Sequence, residues 1–482
     1  MKKLVMIACL LALFVQGTNA QQKLFKETED QKKERMAWWT NDRFGMFIHW
    51  SIAAVREIDL SWPMMAGTQI GWDASYRKLT QDSIDRFIAD GDYFAGHKCK
   101  KDNSCLSPVE YWEQARFFNP NSYNPEVWAK AAKAAGMTYM VFTARHHDGF
   151  AMWPSNYGNL STLNYMGGRD LVRPYVEACR KYGLKVGLYY SGPDWYFNRT
   201  MQSFLYWRLA KDFKNVPSID ENLKPRTTTK TATDLQMHYD SVAVYLKGQI
   251  TELLSNYGKI DMIWFDGGPD IPKGNPAWQK CISMDDIHRL QPGIIVSPRF
   301  FGYGDFKTFE SDTDKPGETQ KQWAELCTTV TGRSWGYTQT PLKPINNLIK
   351  DLILCRSRNA NYLLNFGPDK NGTFSTEMNS YLSIFADWMK VNGSAIRGCI
   401  ALPANETASI PATAHSNRRY LFVTDELKGK TITFDSPHQV KKVHFLASKI
   451  PVEFQIINNK QLVITLESNS SNLPLVIKVE LK

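Results

Sequence analysis

Between about residue 40 and residue 395, short apolar runs bounded by turn residues alternate with longer stretches of helical period. Residues 43–50 (RFGMFIHW), 137–144 (MTYMVFTA), 184–191 (LKVGLYYS), 260–266 (IDMIWFD), 293–299 (GIIVSPR) and 361–366 (NYLLNF) read as strands. Residues 124–136 read as a helix, with a proline in the first turn and a glycine stop. Residues 170–183 and 234–258 read as further helices that end on glycine. Strands alternating with helices over short joints imply βαβ units and a parallel sheet. The length favours a closed (β/α) barrel over an open doubly wound sheet. No G-x-G-x-x-G follows the first strand, which argues against a dinucleotide fold.

The pattern changes after residue 397. Alternating strands are expected at 419–423, 431–434, 440–446, 453–457, 461–466 and 475–481, separated by turn clusters. They predict a small β-sandwich over 397–482, behind a barrel over 21–396. Residues 323–327 (WAELC) read as a short helix, and residues 79–108 as a loop-rich excursion above the barrel.

Residues 1–20 read as an export signal: Lys2 and Lys3, an apolar run, then Thr18-Asn19-Ala20. Cleavage is expected after Ala20, with a periplasmic or extracellular destination. No later run is long enough to span a membrane. The formal charge of +10 becomes +8 once the two signal lysines are removed, and the signs are interspersed. That describes a solvated basic surface; nucleic acid is not an expected partner. Seven cysteines remain after cleavage. Cys99 and Cys105 suit a small disulfide-closed loop, whereas Cys179, Cys327 and Cys355 read as core. The 15 Trp, 21 Tyr and 25 Phe suit both a large core and the C–H faces of sugars.

Barrel sites are built where strands end. Here those ends carry His49, Arg145-His146-His147-Asp148, Asp266 and Arg299. Asp266 closes an apolar strand and precedes Gly267-Gly268, so its carboxylate faces the barrel mouth. Trp264 lies two residues back and shares its face. Of Tyr189 and Tyr190, alternation sends one to the pocket and one to the helices. His49, His146 and His147 suit hydrogen bonding to sugar hydroxyls. No metal spacing accompanies them, so metal ligation is not expected. A carboxylate beside an aromatic ring suits glycoside chemistry, which uses a second carboxyl. Glu310, Glu318 and Glu325 follow in the chain. Glu310 sits in the loop from which that group would come, Glu318 reads as solvated, and Glu325 is the other candidate.

These motifs together resemble glycoside hydrolase family 29, the α-L-fucosidases, from about residue 38 to residue 398. The pieces that carry the resemblance are RFGMFIHW, FNPNSYNPEVWAKAAKAAGMTYMVFTARHHDGF, ACRKYGLKVGLYYSGPDW, DMIWFDGG, NYLLNFGPDKNG and DWMKVNGSAI. The resemblance implies an irregular (β/α) TIM-like barrel followed by a β-sandwich. It implies retaining exo-release of terminal L-fucose from fucosylated oligosaccharides or polysaccharides, without metal or cofactor. Its nucleophile falls on Asp266 and its acid/base on Glu310, with Glu325 as runner-up. Its sugar-binding groups fall on His49, His146, His147, Tyr189 or Tyr190, Trp264 and Arg299. Departures stand at Ser51, Arg145 and Phe309. The family's Glu-Trp pair after the first strand has no clear match; Trp62 and Trp72 are the candidate rings. A glycan-binding protein without catalysis, and the same mechanism on an α-galactoside, are the alternatives.

Overall fold

A computed structural model describes residues 25–67, 80, 82–83, 86, 106–207, 218–226, 229–269, 280–300, 303–424, 431–436, 438–458, 460–466 and 473–482. The expected signal, Cys99, Cys105, Trp72 and most of the 79–108 excursion lie outside these residues. Among the described residues no helix is long and apolar enough to cross a membrane.

Eight parallel strands form the first sheet: β1 (Phe44–Ile48), β2 (Tyr139–Arg145), β3 (Lys185–Ser191), β4 (Met262–Asp266), β5 (Ile295–Val296), β6 (Lys307–Glu310), β7 (Ala324–Thr329) and β8 (Ala360–Phe366). Their order is β5-β4-β3-β2-β1-β8-β7-β6, the order of a barrel cut between β5 and β6. Asp305 draws the cut edges together. Its N–H donates to the Val296 carbonyl at 2.9 Å, and its carboxylate accepts from the Val296 N–H at 2.8 Å. Arg35, on helix α1 (Glu29–Asp42), grips the same carboxylate with both terminal nitrogens, at 2.7 and 2.8 Å. It also donates to the Ile294 carbonyl at 2.9 Å.

Helices cover the outside: α2 (Pro125–Ala134), α3 (Val172–Lys181), α4 (Ala232–Ser255), α5 (Met284–Leu290), α6 (Ile345–Ser357) and α7 (Thr376–Asn392). Local sequence sets their ends. Asn124 caps α2 through the Glu126 N–H, Pro125 follows at the first position, and Gly136 takes the left-handed turn at φ 84°. No helix joins β6 to β7, and none among the described residues joins β5 to β6. The barrel is therefore irregular on that side. The stretch expected as a short helix at 323–327 is strand β7. All six of its residues are buried, so its glutamate gives no polar face and the alternation that marks a strand is missing.

Beyond α7 two antiparallel sheets stack. One has four strands: β10 (Thr407–Ala408), β13 (Thr431–Asp435), β16 (Gln461–Thr465) and β15 (Gln455–Ile457). The other has five: β14 (Val440–Phe445), β17 (Leu475–Leu481), β12 (Arg418–Val423), β11 (Ala412–His415) and β9 (Ile400–Ala401). Leu421, Val423, Ile432, Phe434, Leu462, Ile464, Ile477 and Val479 share a core of their own. Strands begin at Ile400, earlier than the pattern from 419 suggests, because β9 to β11 are too short to show alternation. Tyr420, Phe422 and Val476 join the barrel-side core, and the Trp388 indole on α7 donates to the Pro474 carbonyl at 2.9 Å.

Candidate active site

The barrel interior is a column of side chains from alternate strand positions. Met36 and Trp39 of α1 close one end, below Tyr139, Met262, Cys327 and Leu363. Phe47, Tyr189 and Trp264 lie toward the carboxyl ends of the strands. Tyr189 and Trp264 are register partners on β3 and β4, and their rings stack with centroids 5.8 Å apart. Asp266 stands two residues past Trp264, on the same face. Alternation separates the two tyrosines: Tyr189 enters the pocket, while Tyr190 turns to α4 and donates to Gln249 at 2.9 Å.

Asp266 carries two donors. Tyr189 Oη donates to Oδ2 at 2.7 Å, and Arg299 Nη1 donates to Oδ1. His147 Nε2 lies 3.7 Å from Oδ2. Burial pushes this carboxyl up, but Arg299, His147 and Tyr189 outweigh it and hold it at about 2. It is therefore an anion near neutrality. Burial and the Asp266 charge push the Tyr189 phenol well above its ordinary value, so it stays a donor.

Arg299 sits on the loop just beyond β5, with its guanidinium 5.0 Å above the Trp264 ring. Its second terminal nitrogen bonds Glu310 at the end of β6. One rigid fork thus spans Asp266 and Glu310. Glu325 is elsewhere. It lies beneath the pocket on β7, 0% exposed, accepting from Trp264 Nε1 at 3.0 Å and from Tyr139 Oη at 2.7 Å. Burial pushes it up to about 7, against the pull of those two donors. Glu318 is exposed, as expected for a solvated loop residue.

The three histidines converge on the same space. His49 and His146 have ring centroids 5.9 Å apart, and His146 and His147 4.3 Å. Each is held through Nδ1: His49 by Asn365 Oδ1 at 2.7 Å, His146 by Ser61 Oγ at 2.8 Å, and His147 by Ser191 Oγ. Asn365 Oδ1 can only accept, so His49 carries its proton on Nδ1. Ser191 gives its one proton to the Pro193 carbonyl at 2.7 Å, so His147 also carries its proton on Nδ1. The Nε2 atoms of both are then acceptors. Burial lowers His49 and His147 to about 4, and His146 well below its ordinary value. All three are neutral imidazoles near pH 7.

Arg145 does not enter the pocket. It is buried against the helices, 3.1 Å from Asp194 and 4.1 Å above the Tyr190 ring. Trp62 does reach the site, with its ring 5.3 Å from that of His147. Trp195 and Trp335 also line the site, with rings 5.2 Å from His147 and 4.9 Å from His49; these two, with Asn365, Ser61 and Ser191, are not signalled by spacing. Asn365 and Ser191 end strands, a position that could have singled them out. Ser61 and Trp335 lie in loops without periodicity. Among the described residues, His146, His147 and Asp266 are the one group whose ligand atoms, all within 4.8 Å of one another, could hold a metal ion. Arg299 already lies against that carboxylate, and its positive charge opposes a second cation there.

A carboxylate, a guanidinium and neutral imidazoles around an aromatic floor are a set of groups that suits a polyhydroxylated ring. Residues 11–394 match the family model described as Alpha-L-fucosidase. Rat tissue alpha-L-fucosidase is 28% identical over 374 residues, covering 74% of this chain and 69% of that one. The Branchiostoma floridae alpha-L-fucosidase is 25% identical over 458 residues, covering 90% of each. Alpha-L-fucosidase isoenzyme 1 from Paenibacillus thiaminolyticus superposes with a TM-score of 0.69 at 27% identity, covering 94% of this chain and 99% of that one. The Thermotoga maritima alpha-fucosidase, at 22% identity and a TM-score of 0.67, covers 94% and 100% and shares the fold. Pocket, fold and sequence agree, and the chain belongs to the α-L-fucosidase family of glycoside hydrolases.

Proposed function

We propose that this enzyme releases terminal α-L-fucose from fucosylated glycans with retention, Asp266 acting as nucleophile and Glu310 as acid/base. The carrying observation is the Arg299 fork, which touches both carboxylates. Retaining enzymes hold their two carboxyls only about 5–5.5 Å apart, and two groups sharing one guanidinium suit that spacing. The low pKa of Asp266 suits an attacking anion. Glu310, at the pocket rim, suits a group that must meet the leaving oxygen and then water. Glu325 suits neither step, since Trp264 and Tyr139 occupy both of its oxygens.

Glu310 protonates the glycosidic oxygen as Asp266 attacks the anomeric carbon. The C–O bond to the leaving group breaks and a fucosyl ester forms on Asp266. Glu310 then takes a proton from water, which attacks the same carbon and frees Asp266. To act as an acid, Glu310 must leave Arg299, so the entering sugar displaces that contact. The imidazoles accept from the sugar hydroxyls, and Trp264, Tyr189 and Trp335 offer rings to its C–H face.

We also propose export after a signal ending at Ala20, and division into a barrel over 21–396 and a sandwich over 397–482. A human relative is named plasma alpha-L-fucosidase, which fits export. The deciding experiment is a panel of aryl glycosides followed by NMR. Turnover of the α-L-fucoside with α-fucose as the first anomer is expected. First-formed β-fucose would overturn retention, and preference for the α-galactoside would overturn the sugar.

A further inference from the structure

Pocket wall and catalytic groups come from different loops, and one acidic side chain outside the pocket ties two of them together. Asp59 lies in the segment after β1. Its Oδ1 accepts from the loop after β7: the Trp335 N–H at 2.9 Å, the Gly336 N–H at 3.3 Å and Ser334 Oγ at 3.0 Å, whose single proton is shared with the Gly336 carbonyl at 2.9 Å. The Trp335 carbonyl is held on its other side by Asn365 Nδ2 at 2.7 Å. That same asparagine accepts from His49 Nδ1 and from the His49 backbone N–H. The Trp335 indole then lies 4.9 Å from the His49 ring and 6.1 Å from Phe47.

We propose that Asp59 is a positioning residue for the sugar pocket: it fixes the Trp335 backbone so that the indole, with His49, walls one side of the pocket. Three further observations fit. The loop has no slack: a Cβ on Gly336 would meet the Ile58 carbonyl and the Leu60 nitrogen at 3.2 Å, and one on Gly367 would meet the Gly336 carbonyl carbon at 2.7 Å. Leu60, next to Asp59, holds a left-handed φ of 49°, a conformation a leucine keeps only under constraint. Ser61 then bonds His146 and Trp62 meets the His147 ring edge to face, so one turn of chain serves two walls of the pocket.

All three donors converge on one oxygen, and this separates positioning from charge. Asp59→Asn can leave its amide oxygen on those donors. Asp59→Glu keeps the charge and moves it by a methylene. Asp59→Ala removes the acceptor. The inference rests on the fucosidase reading, so wild-type turnover of an aryl α-L-fucoside is established first; its absence would refute that reading and not this one. Given turnover, Asp59→Ala and Asp59→Glu should each raise KM about tenfold with a smaller change in kcat, while Asp59→Asn stays within about threefold. In a Trp335→Ala background the Asp59→Glu effect should largely vanish, because both changes remove the same wall. If Asp59→Ala does not fold, the Asn, Glu and Trp335→Ala variants still decide the matter. Additive effects, or Asp59→Glu spared while Asp59→Asn is impaired, would overturn the proposal.

Discussion

Trp264 donates its indole proton to Glu325 at 3.0 Å, so the floor of the pocket hangs from a carboxylate that is itself fully buried. Removing that acceptor leaves Trp264 and Tyr139 without it, at a cost of about 1–3 kcal/mol for each donor. Glu325→Ala is therefore expected to lower thermal stability by several degrees. It should reduce activity on activated and natural fucosides in the same proportion. A selective loss on natural linkages would instead mark Glu325 as the proton donor.

Glu310→Ala should show that selectivity. A good leaving group needs little protonation, so an activated aryl fucoside should be spared more than a natural linkage. Comparison of kcat/KM on both substrates checks it. Unchanged activity on the natural linkage would remove Glu310 from the role.

Tyr189→Phe keeps the ring stacked on Trp264 and deletes the donor to Asp266. A hydrogen bond to a charged group contributes about 1.5–3 kcal/mol, so a loss of roughly ten- to a hundredfold in kcat/KM is expected. The Asp266 carboxyl should rise from about 2, and the acid limb of the pH–rate profile should move up with it.

Two buried groups should tilt stability against pH in opposite directions. His147 is held at about 4, below its ordinary 6.5, so it takes up a proton on unfolding between those values. Its contribution is present above pH 6.5 and is lost as pH falls through 4. Glu325 stands at about 7, above its ordinary 4.5, and releases a proton on unfolding between those values. It therefore makes stability decline as pH rises from 4.5 to 7. Melting curves across pH 4 to 8 for His147→Asn and Glu325→Gln, each minus wild type, should slope in opposite senses. Parallel difference curves would contradict the assignment.

Chelation addresses the cluster of His146, His147 and Asp266. With Arg299 on the carboxylate, prolonged EDTA treatment and dialysis should leave kcat/KM within about twofold. A loss restored by added zinc would place a cation there.

Much of the barrel is legible in the sequence because six of its strands are apolar runs that stop at a polar or glycine residue. β6 and β7 are not: Lys307–Glu310 is short, and β7 carries a charged residue, Glu325, although all six of its positions are buried. The site follows the same division. Asp266, Trp264, Tyr189, His49, His146 and His147 sit at or near strand ends, where barrel geometry brings them together. Arg299 lies on a loop past a two-residue strand; its planar fork suits a sugar oxygen or the nucleophile, and its bridging of Asp266 and Glu310 is visible only in three dimensions. Asp59, Ser61 and Trp335 act through contacts between loops distant in sequence. Neither period nor spacing records such contacts, so only three-dimensional placement reveals them.

The central claim is that Asp266 attacks the anomeric carbon, and azide rescue of Asp266→Ala tests it most directly. The variant should lose more than about a thousandfold in activity on an aryl α-L-fucoside. Added azide should restore turnover from the vacated face, giving the inverted β-fucosyl azide. An α-configured azide product, or a variant that retains wild-type activity, would contradict the assignment.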